Sequence, residues 1–76
     1  MKRETLSIRM VQLCNAIHKE MNMEHRDLRT PRAIAVAGEE MTTFSLNAFE
    51  ASTVLAVVIN ISKEVALEYI TAYRKR

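Results

Sequence analysis

Two side chains in this sequence have the types and spacing for metal chemistry. Cys14 and His18 lie four residues apart, so on a helix both would face one ion from successive turns. A zinc site needs three or four protein ligands, and the only other histidine, His25, does not complete a set. Given that requirement, ordinary packing outweighs a metal by roughly nine to one. Cys14 as a nucleophile would need a base to hold its thiolate and donors for an oxyanion. A short chain with one glycine offers little loop from which to build them. Glu39, Glu40 and Glu50 have no paired, apolar setting of the kind that tunes an acid and a base apart. The residues predict no enzyme, no metal and no cofactor.

His25-Arg26-Asp27-Leu28 matches the letters that open the protein-kinase catalytic loop. The match is accidental. The asparagine that should follow is absent, with Arg32 near its place, and no glycine-rich phosphate loop precedes it. The spacing of Arg26, Arg29 and Arg32 says more. On a helix these three would share a broad face with His25. Such a face could touch phosphates, dock on an acidic protein or simply be solvated, at odds of roughly one, one and two. The formal charge of +2 permits nucleic-acid binding without arguing for it.

The elements that must position these residues are dominated by one segment. From Val54 to Ile61 the only polar side chain is Asn60. A helix that is apolar all round has to be buried, and 76 residues rarely surround one unaided. With one cysteine there is no internal disulfide, so oligomerisation is the expected remedy. Val54, Leu55, Val57, Val58 and Ile61 are the expected oligomer core. The apolar content of 49% and charged content of 26% fit one globular domain over 1–76. No stretch approaches the ~20 apolar residues of a membrane span, and the N-terminal segment has no continuous apolar core of the secretory kind. A cytoplasmic location is the default expectation.

Thr5 to Met21 reads as an amphipathic helix, because Leu6, Met10, Leu13, Ile17 and Met21 draw one stripe. As a core stripe it outweighs a partner surface by about three to one, although Met-rich seams do suit adaptable interfaces. Asn22 to Arg32 is dense in charge. Pro31 biases Thr30 to extended geometry and can open a turn or a new helix. Ala33–Ala37 and Met41–Ser45 flank Gly38 and predict a short two-stranded hairpin turning at Gly38–Glu39; three alanines make a helical turn the rival. Asn47 and Glu50 have the spacing of a capping box, opening a helix to about Ile59 that Asn60 can end in left-handed geometry. Ser62 then caps a last helix from Lys63 to about Arg74. Its apolar side is Val65, Ala66, Tyr69, Ile70 and Tyr73, and Glu64 at its start with Arg74, Lys75 and Arg76 at its end complement the helix dipole. The short link predicts a tight C-terminal helical hairpin. The fold class is therefore mainly α: about three helices and one short β-hairpin, in an oligomer.

EHRDLRT together with FSLNAFEASTVLAVVINISKEVALEYITAYRKR resembles small temperate-phage regulatory proteins of the Rha and antirepressor type. The matching positions are His25, Leu28 and Arg29, then Phe44, Leu46 and Phe49, then Ser62, Ala66, Tyr69 and Tyr73. Asn22-Met23 stand where those proteins usually carry a glycine-lysine pair before the histidine, which weakens the parallel with a DNA-reading element. The resemblance implies a phage-encoded regulator in a bacterial cytoplasm, acting as an antirepressor that binds a repressor protein and inactivates it. The alternatives are a small DNA-binding regulator using Arg26, Arg29 and Arg32, or an inhibitor of a host enzyme. By elimination, the expected partner contact is Arg9, Met10, Leu13, Met21, Met23, His25, Arg26 and Arg29, since the C-terminal helices are committed to the oligomer core.

Overall fold

The computed structural model describes residues 6–75. The expected helix start at Thr5 and the basic residues Lys2, Arg3 and Arg76 lie outside them. The described chain is mainly helical: α1 (Ile8–Asn22), a 3-10 turn (Arg26–Leu28), α2 (Arg29–Thr43), α3 (Ala48–Ile59) and α4 (Lys63–Arg74). There are thus four helices among the described residues, one more than the sequence predicts, and the extra one replaces the hairpin.

Three helix starts follow the same chemistry. The Ser7 hydroxyl accepts from the Met10 N–H at 3.2 Å, and the Ser62 hydroxyl from the Val65 N–H at 3.2 Å. Asn47 and Glu50 close a full capping box, with Asn47 Oδ1 accepting from the Glu50 N–H at 2.8 Å and Glu50 Oε1 from the Asn47 N–H at 3.0 Å. Each pairing satisfies donors that a helix start would otherwise leave orphaned. α2 starts without a side-chain cap, because the 3-10 turn feeds directly into it.

The predicted strands Ala33–Ala37 and Met41–Ser45 are both helical, and α2 runs through Gly38 without a break. Pro31 sits in the first turn, where its missing N–H has no intrahelical partner to lose. Gly38 is present for a packing reason and not for a turn. A Cβ built there would stand 2.6 Å from Cδ2 and 3.2 Å from Cε2 of Tyr73. The Tyr73 ring lies against the α2 backbone, its hydroxyl donates to Glu39, and Arg74 Nη1 donates to the Gly38 carbonyl at 3.0 Å. This clasp holds the end of α4 on the middle of α2.

α2 ends in a Schellman arrangement: Leu46 N–H donates to the Met41 carbonyl at 2.8 Å and Ser45 N–H to that of Thr42 at 3.0 Å. Ser45 takes the left-handed position with φ 59°. Met41 and Leu46, which this geometry brings together, are both buried. α3 also ends on a left-handed residue, Asn60 at φ 59°, but here the Asn60 and Ile61 N–H groups both donate to the Ala56 carbonyl, the latter at 3.1 Å.

α3 packs against α1, α2 and α4. Leu13 and Ile17 from α1, Val36 and Met41 from α2, Val54 and Leu55 from α3, and Ile70 from α4 form the centre. Five further core positions are alanines: Ala33, Ala37, Ala51, Ala56 and Ala66. Among the described residues the one buried polar side chain, Ser52, returns its hydroxyl to the Ala48 carbonyl at 2.6 Å. The radius of gyration is 11.5 Å, against about 11.4 Å for a compact chain of this length.

This packing accounts for part of the expected oligomer core within one chain. Val54 and Leu55 are fully buried within a single chain, and Val58 and Ile61 are half-buried against the same core. Only Val57 of the five is exposed. One chain does enclose most of this helix, and the neighbouring helices carry buried alanines at positions 33, 37 and 66.

Candidate functional site

The corner between α1 and α2 gathers four of the eight expected partner residues. α1 finishes with the Met23 N–H donating to the Glu20 carbonyl at 3.1 Å and the Glu24 N–H to that of Met21 at 3.1 Å. His25 is extended, and the Leu28 N–H then donates to the His25 carbonyl at 2.9 Å to form the 3-10 turn. The chain reverses within a few residues. Met23 is 74% exposed and Leu28 50% exposed, with His25, Arg26 and Arg29 exposed around them.

Arg32 braces this corner. Its guanidinium lies 3.2 Å from Glu20 and 3.4 Å from Glu24, joining the end of α1 to the start of α2. All three side chains remain partly in solvent, so each contact contributes at most about 1 kcal/mol. Arg32 is therefore turned toward α1 and does not present a free cation beside Arg26 and Arg29. Among the described residues, no carboxylate forms a salt bridge with Arg26 or Arg29. A shallow depression of about 250 Å³, lined by Glu24, Leu28, Pro31, Arg32 and Ala35, adjoins the corner.

The other expected partner residues are placed differently. Leu13 is fully buried: it faces the core from the stripe it shares with Ile17, which corrects its assignment to a partner surface. Met10 and Met21 are half-buried against the same core. Arg9 is exposed but sits near the other end of α1, roughly 20 Å from the corner at 1.5 Å per residue. Leu28 completes the corner and was absent from the expected contact set; its sequence signal was an apolar residue isolated among charges.

Cys14 is half-buried and His18 is exposed on α1. Burial pushes the Cys14 thiol above its ordinary value, which favours the protonated, weakly nucleophilic form. No group of three or more potential metal ligands converges among the described residues. A groove of about 350 Å³ between α1 and α2 mixes Lys19 and Arg32 with Glu20, Glu39 and Glu40 over Ala16 and Val36. No described helix is long and apolar enough to cross a membrane. What this arrangement offers is contact surface: an apolar pair framed by cations on a braced reversal of the chain. Comparison with protein-family models, curated proteins and solved structures gives no match.

Proposed function

We propose that this protein is a phage antirepressor-type regulator that binds a transcriptional repressor through the α1–α2 corner and frees its operator. The observation that carries the reading is the exposure of Met23 and Leu28 beside Arg26 and Arg29. Met and Arg are enriched at interfaces, and exposed anchors on a rigid support are what a binding hot spot needs. Direct DNA binding is less well supported. Arg32 is already paired with Glu20 and Glu24, which leaves only Arg26 and Arg29 of the three arginines of this region for phosphates. The protein acts in the bacterial cytoplasm as a homo-oligomer in this reading.

The test uses affinity capture from the lysogenic host with wild-type protein and with a Met23→Asp, Leu28→Asp variant. A transcription regulator identified with the first and lost with the second is the expected result. Added wild-type protein should then dissolve the complex of that regulator with its operator, while shifting no DNA alone. Undisturbed repressor–operator complexes, or binding to bare operator DNA that weakens steeply with salt, would overturn the reading.

A further inference from the structure

We infer that two copies of this chain pair by exchanging α4, with Asn60 as the hinge that sets the balance between closed monomer and exchanged dimer. The exchange rests on the self-association proposed above and gives it a mechanism. Nothing in the sequence from Ala48 onward forbids one continuous helix, since the single proline and the single glycine lie upstream at Pro31 and Gly38. The break after Ile59 is made by backbone alone: Asn60 is left-handed at φ 59° and Ser62 is extended at ψ 155°. Left-handed geometry costs asparagine free energy that it does not cost glycine. The core side of the two helices also keeps one helical phase through the break. Leu55, Ile59, Ser62, Ala66, Ile70 and Tyr73 follow four-three-four-four-three spacing, and all but Ser62 are buried or half-buried. Straightened, the segment would be one helix of about 27 residues, roughly 40 Å long at 1.5 Å per residue. Straightening carries α4 off its own core.

What covers the surface so opened is defined by the contacts already there. α4 packs against α3 and α2 and buries Ala66 and Ile70 completely. The space left by the missing Cβ of Gly38 takes the Tyr73 ring, and the Gly38 carbonyl accepts from Arg74. A second copy brings the same α4 and reproduces this fit, which is how an exchanged element joins two protomers. The α4 contacts are then restored in both copies, and only the hinge differs. There the dimer is relieved of the left-handed Asn60 but gives up the Ser62 cap on the Val65 N–H. Association entropy opposes the dimer, so its population rises with protein concentration. Opening must first uncover Ala66 and Ile70, so the two forms interconvert slowly.

The experiment combines sedimentation of the whole chain, equilibrated at up to submillimolar concentration, with disulfide trapping in a Cys14→Ser background. A Gly38→Cys chain is mixed with a Tyr73→Cys chain and then mildly oxidised. Cγ of Tyr73 lies 3.4 Å from a Cβ built at position 38, so an exchanged α4 brings the two positions of different chains within disulfide reach. A covalent heterodimer is the expected result. Hinge variants give a second readout that leaves the α2–α4 contact untouched. Asn60→Gly, which holds the left-handed turn without a Cβ, should weaken the dimer roughly fivefold, and Asn60→Ala, which favours the continuous helix, should strengthen it roughly tenfold. A wild-type dimer equally stable with either hinge variant overturns the exchange while leaving self-association standing. So does a dimer whose two cysteine chains keep their helical spectrum yet form no heterodimer link. Wild-type protein that stays monomeric at submillimolar concentration overturns both.

Discussion

Gly38 shows how one residue can mislead a reading of the chain and then explain the packing. In sequence it has the look of a turn between two short apolar runs, since glycine punctuates structure more often than it fills a helix. In the fold its missing Cβ leaves room for the Tyr73 ring, a contact between residues 35 positions apart that no local pattern could announce. Two opposing effects meet in Gly38→Ala. Alanine favours an exposed helix interior by about 1 kcal/mol, while overpacking against a held ring costs about 1–3 kcal/mol. The ring is held by its hydroxyl bond to Glu39 and by the neighbouring Arg74 bond, so the clash should win. We expect a net loss of about 1 kcal/mol and a melting temperature lower by roughly 4–8 °C. In a Tyr73→Ala background the same substitution should become stabilising. Thermal denaturation of the four variants checks the change of sign, and destabilisation of equal size in both backgrounds would remove the ring from the explanation.

At the scale of elements, helix ends were the most legible part of this chain. The spans of α3 and α4 follow from Asn47, Glu50, Asn60 and Ser62, each of which acts through a bond to its own neighbourhood. The described start of α1 at Ile8 is set by Ser7, whose hydroxyl caps it. α2 was missed for the opposite reason: it has no side-chain cap at its start and a glycine in its interior. The corner was legible as a cluster of residue types but not as a surface, since sequence does not say that Arg32 turns back to Glu20 and Glu24 or that Leu13 turns inward. Two substitutions test the link between α2 and α3. Ser45→Gly should stabilise by up to about 1 kcal/mol, because glycine adopts the left-handed position without a Cβ penalty. Asn47→Ala should destabilise by about 1 kcal/mol through loss of the cap. Urea unfolding with unchanged m-values is the readout, and a Ser45→Gly variant less stable than wild type would refute the cap assignment.

The whole molecule resolves the difficulty of enclosing an apolar helix in a short chain by using small side chains where the helices meet. Alanines at positions 33, 37, 51, 56 and 66 are buried alongside Gly38 and Ser52. Large apolar residues then fill only the centre. Stability should therefore respond to excess volume at the contacts as well as to lost volume at the centre. Leu55→Ala should cost about 2–5 kcal/mol through a cavity. Ala37→Leu, which adds three carbons at a fully buried position on α2, should cost at least 1–3 kcal/mol through overpacking. Chemical denaturation of both variants checks the pair; an Ala37→Leu protein as stable as wild type would mean that the helices are not in close contact there. The same small residues have a consequence for descent. Outward positions can change freely and the central leucines and valines can exchange with one another, but a contact alanine has few substitutes of its size. A lineage carrying this fold would drift almost everywhere except in the register of its smallest side chains, so distant kin would share a pattern of where bulk is forbidden long after they had ceased to share identities.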